Sequence, residues 1–191
     1  MPVIQHFHPL AALDAEKKAA LAAKLTDVLL TMEGNARTTG GKAFAYVLFS
    51  ALAADDWWIG GVTGDTYVHA PGRFLARVSV PEGYLNQAHK SEVHRLVNDA
   101  VVSTVGSEND SGQSILVIIE EVAEGDWECG GKTISLASIA DTVGLSKTGE
   151  RFQWSRAYFE AKRASSPQPT IRSIRADSFR EISTERDARK S

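Results

Sequence analysis

A chain of 191 residues with 43% hydrophobic content and a formal net charge of -3 can bury a sizeable core, as one compact domain or two small halves. That charge balance gives no general electrostatic case for binding nucleic acid, although a local basic pocket stays open. Cys129 is the single cysteine, which excludes an intramolecular disulfide; with no secretory segment and no apolar span long enough for a bilayer, the expectation is a cytoplasmic protein with no membrane partner.

The run Val3 to His8 reads as a strand closed by Pro9. Asp14 is placed to cap a helix through about Met32, with Glu16 in the first turn facing the positive end of the helix dipole and Gly34 closing it. Leu21, Leu25, Val28, Leu29 and Met32 make its apolar face. Asn35 to Lys42 reads as a connection, and Phe44 to Leu52 as a second strand, apolar on both faces and so expected in the sheet interior. Asp55 to Gly61 is a turn with two adjacent tryptophans.

The same order then repeats. Phe74 to Val80 is a strand, Pro81–Glu82–Gly83 a turn, Gln87 to Val105 a helix, Ile115 to Glu121 a strand and Asp126 to Gly131 a closing turn. Lys18 matches Lys90, Asp27 matches Asp99, Gly34 matches Gly106, Val47 matches Val117, Trp57 matches Trp127 and Gly61 matches Gly131 at nearly fixed spacing, which indicates an internal duplication of a β-α-β unit. A helical crossover makes the two strands of each unit parallel. The expected fold is therefore α/β (α+β): tandem units complete a four-stranded sheet with both helices on one face. The other face is left apolar, to be covered by another copy of the chain.

Pro2 is the candidate of greatest chemical interest. Removal of the initiator Met would make it a secondary-amine terminus on the first strand. An α-amino group ordinarily titrates near ~7.7–8.0, and burial lowers that value by disfavouring the charged form. Such an amine can shuttle protons at neutral pH. The bland alternative is a proline that opens an edge strand because it has no backbone donor to spare.

Pro2–Val3–Ile4–Gln5, the paired β-α-β units and the turns Trp57–Trp58–Ile59–Gly60–Gly61 and Trp127–Glu128–Cys129–Gly130–Gly131 together resemble the tautomerase superfamily, especially its fused 4-oxalocrotonate-tautomerase-like members, over roughly residues 2 to 133. The resemblance implies an isomerase that moves a proton in a small enolisable 2-oxo or 2-hydroxy-unsaturated carboxylic acid. Pro2 would be the general base and acid, with no cofactor and with three chains assembled as a homotrimer. Phe74 stands at the starting position of the second unit but has no amine, so one catalytic amine per chain is implied.

The family's arginines hold the substrate carboxylate, yet their matching positions here fall near Ala12 and Tyr84, and near Tyr46 and Leu116. Arg73 and Arg77 are the arginines proposed in their place, ahead of Arg37 and Lys42, while Trp57 and Trp127 sit at or beside the position of the family's pocket aromatic and Tyr46 is a further donor. The related hydratase, dehalogenase and decarboxylase chemistries stay open as alternatives, as does a noncatalytic oligomeric scaffold of the same fold. The dehalogenase pattern is disfavoured: its histidine and tyrosine would fall near Leu29 and Ile118.

His6 and His8 share a strand face, for which surface or interface roles are expected and no metal is proposed. Cys129 reads as a packed thiol. The domain reading is a tautomerase-like domain over 2–133 (units about 2–61 and 73–131), a helical extension over 134–164 and a flexible tail or intersubunit arm over 165–191. Leu136 to Ser146 resembles the start of a helix-turn-helix, but Phe152, Trp154, Tyr158 and Phe159 on the next helix suit packing on the main body better than reading base edges, so no nucleic-acid partner is expected.

Overall fold

The structure is a computed structural model that describes residues 2–165; the tail expected beyond Ser165 lies outside the described residues. Residues through Phe159 group into one compact unit, and the last turn and a half of the final helix belongs to a second.

Four strands form the main sheet: β1 (Val3–Pro9), β2 (Tyr46–Leu52), β3 (Phe74–Pro81) and β4 (Ile115–Val122), in the order β2-β1-β3-β4. β1 pairs parallel with β2 and β3 with β4, while β1 and β3 meet antiparallel at the centre. The two β-α-β units are thus joined back to back, with their first strands inside and their second strands at the edges. The second strand, expected in the interior because it is apolar on both faces, is an edge strand. Its outward-facing Tyr46 and Leu48 are half exposed, and that exposed apolar surface is what made it look interior. The strand also begins later than Phe44, because Thr39–Ala43 forms a short helix, α2, whose cap Thr38 accepts from the Gly41 N–H at 2.9 Å.

The two long helices are α1 (Ala15–Met32) and α3 (Gln87–Val105). Asp14 caps α1 by accepting from the Lys17 N–H at 2.8 Å. Asn86 and His89 form a reciprocal capping box on α3. Leu21, Leu25 and Leu29 of α1 and Val93, Val97 and Val101 of α3 close over Ile4, Ala76, Val78 and Val80 of the central strands, in the cluster that makes the core. Strand alternation sends Ile4, His6 and His8 into that core and Val3, Gln5 and Phe7 to the opposite face. Both histidines are 0% exposed, against the surface or interface role expected of them. Their rings are packed with each other, with Phe49 and, for His6, with Phe74.

The opposite face of the sheet is apolar and is left uncovered by the described residues. Tyr46, Leu48, Leu116 and Ile118 are its exposed large side chains, and Arg77 pairs there with Glu120. Two further strands, β5 (Glu128–Cys129) and β6 (Lys132–Thr133), make a small hairpin turned by Gly130 and Gly131 at φ 65° and 76°. α4 (Leu136–Val143) and α5 (Glu150–Ser165) follow, separated by Gly144, which caps α4 in the left-handed region at φ 70°. Among the described residues, no helix is long and apolar enough to cross a membrane.

Candidate active site

Pro2 is buried where β1 begins, and its carbonyl accepts from the Tyr46 N–H at 3.3 Å. Because β3 runs antiparallel to β1, the segment beside this end of β1 is Val80–Pro81 and the turn that follows it. That turn brings Tyr84, 5% exposed, to the same end of the sheet. α1 ends there as well, on Glu33, whose N–H donates to the Leu29 carbonyl at 3.1 Å and whose side chain is buried.

The extension closes over this end. Tyr158 of α5 lies against Gly83, where a Cβ would come within 2.3 Å of its ring, and its hydroxyl donates to Glu82 Oε1 at 2.8 Å. Gly83 has φ 71°, so the close approach and the backbone both require glycine. Arg151, in the first turn of α5, runs its stem over the end of α1, with its Cγ 3.9 Å from a Cβ built on Gly34.

Burial dominates the electrostatics of this cluster. It pushes the Glu33 carboxyl up to about 7, against the charge of the amino terminus, which lowers it. Burial likewise raises the Tyr84 phenol; the Glu33 carboxylate adds to the rise and the Arg151 guanidinium opposes it. The Arg151 guanidinium is lowered by burial and held up by Tyr84, Glu92 and Glu150. Tyr84 therefore feels both Glu33 and Arg151.

The residues chosen from sequence fall in three places. Tyr46 begins β2 directly beside Pro2, and the turn carrying Trp127 leaves β4 at the Pro2 end of the sheet. Arg77 is mid-strand on the uncovered face, opposite Gln5. Arg73 and Trp57 lie at the far end, separated from Pro2 within the chain by the length of the seven-residue β1, roughly 20 Å at ~3.3 Å per residue. They line cavities of about 280 and 410 Å³ there. Arg73 is held by its own chain: Nη1 donates to the Trp57 and Thr63 carbonyls at 3.0 and 2.7 Å, and Nη2 pairs with Asp65.

Glu33, Tyr84 and Arg151 were not among the sequence candidates. The duplication carries a signal that finds two of them. Aligning Pro2 with Phe74 and Gly34 with Gly106 puts Glu33 opposite Val105 and Tyr84 opposite Ala12. Glu33 and Tyr84, each a polar residue that answers an apolar one in the other unit, both lie at the Pro2 end of the sheet. Arg151 lies outside the duplicated units and has no such partner.

A small α+β protein built from two fused β-α-β units, with Pro2 buried at one sheet end, is the class these observations define. No family model and no curated protein matches the sequence. Solved structures do match the fold. Native fused 4-OT superposes with a TM-score of 0.56 at 22% identity, over 69% of this chain and 94% of that one. A member of the cis-3-chloroacrylic acid dehalogenase family gives 0.56 at 16%, over 87% and 93%. Macrophage migration inhibitory factor from Toxoplasma gondii gives 0.52 at 14%, over 69% and 98%. The chain has the tautomerase-superfamily fold.

Proposed function

We propose that the protein is an isomerase of the tautomerase type, acting on a small enolisable 2-oxo or 2-hydroxy-unsaturated carboxylic acid through the amine of Pro2. The observation that carries this reading is the burial of Pro2 at the end of the sheet where Glu33, Tyr84 and Arg151 collect. Freed of Met1, a secondary amine in that setting is desolvated, which favours its neutral form. Neutral Pro2 takes the proton from the enol oxygen of the substrate, and the resulting ammonium returns a proton at the conjugated carbon. The chain ends in its starting state and no cofactor is consumed. A cation at the substrate carboxylate stabilises charge on the neighbouring oxygen as the dienolate forms.

The uncovered sheet face supports assembly with further copies of the chain, and we take the assembly to be a homotrimer, as in the fused 4-OT trimers that share the fold. Tyr46 and Trp127 remain candidates at the Pro2 end. Arg73, Arg77 and Trp57 would contact the substrate only where a second copy carries them to it. The related hydratase, dehalogenase and decarboxylase chemistries are the alternatives, and the fold shared with a dehalogenase-family member keeps them in view.

The test is ketonisation of phenylenolpyruvate and of 2-hydroxymuconate by the purified protein beside Pro2→Ala. We expect kcat/KM to fall by about 10²-fold or more in the variant, the usual scale for removing a positioned acid-base group. Equal rates in the two proteins reject the mechanism. Sedimentation at three times the chain mass is expected, and a monomer at micromolar concentration would remove the trimer.

A further inference from the structure

The arginines of the described chain differ in what they already hold. Arg73 is filled by two carbonyls and Asp65. Arg77, Arg37 and Arg95 are exposed and paired with Glu120, Asp27 and Asp99. Arg151 is different: its side chain is only 13% exposed, and its ion pair, Nη2 to Glu92 Oε2, is long at 3.5 Å. Its Nη1 is buried and has no hydrogen-bond partner among the described residues. A buried guanidinium edge without an acceptor is unfavourable, and a planar carboxylate is the ligand that matches its fork.

The surroundings fit the same ligand. The Arg151 stem covers the residue after Glu33, and Tyr84 lies within the electrostatic reach of both. Burial pushes the Glu33 carboxyl up to about 7, which weakens it as an anionic competitor for the arginine. Tyr158 on Gly83 fixes α5 over the turn that carries Tyr84, so the cation is held by a packed helix.

We propose that Arg151, supplied by the appended helix and not by the duplicated body, is the substrate-binding residue that receives the carboxylate of the acid turned over at Pro2. This rests on the Pro2 reading above. It assigns the extension a role in the site and places the cation beside Tyr84, the position left without an arginine in the duplicated unit.

The experiment uses two electrophiles, 2-oxo-3-pentynoate and 3-pentyn-2-one, which differ by the carboxylate. The Pro2 nitrogen adds to the alkyne carbon remote from the carbonyl: an N–C bond forms, the triple bond becomes a double bond, the amine proton moves to the adjacent carbon, and no group leaves. Mass spectrometry of the full chain and of its amino-terminal peptide gives the rate of adduct formation at residue 2. We expect the acid-to-neutral rate ratio to fall about 10-fold or more in Arg151→Ala and Arg151→Gln, the scale of one lost charge-assisted contact, and to recover in part in Arg151→Lys. Arg151→Gln keeps the stem and serves if the alanine variant does not fold. A ratio within 2-fold of wild type in the variants, with Pro2 still labelled, overturns the assignment alone. Absence of any residue-2 adduct in the wild-type protein overturns the Pro2 reading and the assignment with it.

Discussion

At one end of the sheet a proline begins β1 and Glu33, Tyr84 and Arg151 gather near it; at the other, the equivalent first position is Phe74, 2% exposed and in contact with the His6 ring. The first end is closed over by α5, and the second is open to cavities whose arginine is held by its own chain. Two copies of one β-α-β unit thus end in different surroundings. A buried phenylalanine and a saturated arginine stabilise one end, whereas at the other the buried Arg151 keeps one guanidinium nitrogen without a hydrogen-bond partner among the described residues. Stability and reactivity make opposite demands on buried polar groups, which are satisfied where they support the fold and left available where they act.

The largest expected effect breaks the structural end. Phe74→Ala empties a core position and is expected to cost about 3–5 kcal/mol of stability, read as a shift in the urea midpoint. A loss below about 1 kcal/mol would mean that this end is not packed as described. Pro2→Ala, by contrast, is expected to act on rate far more than on folding.

Next is the buried histidine that ties the two ends together through β1. Burial, with the charge of His8 adding to it, lowers His6 from 6.5 to about 4. The unfolded chain then binds a proton below pH 6.5 that the folded chain refuses until about 4. Stability is therefore full above about 6.5, falls as the pH drops toward 4, and levels off below, by about 3 kcal/mol in all. Denaturation at several pH values should show this slope in the wild type and lose most of it in His6→Phe. An unchanged slope would place the titration elsewhere.

A smaller contrast separates two glycines in the left-handed region. Gly83→Ala meets both the backbone cost and the Tyr158 ring, while Gly61, at φ 84°, has nothing within 4 Å of a Cβ. We expect about 1 kcal/mol for Gly61→Ala from the backbone alone and at least about twice that for Gly83→Ala, with reduced turnover because α5 is displaced. Equal costs would show that α5 is not seated on Gly83. Smallest of all, Asp65→Ala removes the exposed partner of Arg73 and should cost under about 1 kcal/mol, since the two carbonyls remain.

Local chemistry made much of this legible in the sequence. The Asp14 cap, the apolar stripe of α1, the bounds of α3 and the glycine turns are each written in residues near one another, and the duplication supplied the parallel pairing within each unit. Long-range placement was harder. Alternation says that His6 and His8 share a face but not which face, and an apolar strand reads alike whether it lies inside a sheet or at an edge waiting for another subunit. The short helix α2 depends on a single threonine cap. Arg151 reaches the Pro2 end through long-range packing such as Tyr158 on Gly83 and Leu145 on Gly34, contacts between segments with no shared pattern.

The central claim is that the free secondary amine of Pro2 carries the reaction. Its most direct test compares two forms of one sequence, one with Met1 removed and one made with Met1 retained, in the ketonisation of 2-hydroxymuconate. The free-proline form is expected to be faster by about 10²-fold or more in kcat/KM; equal rates would contradict the account.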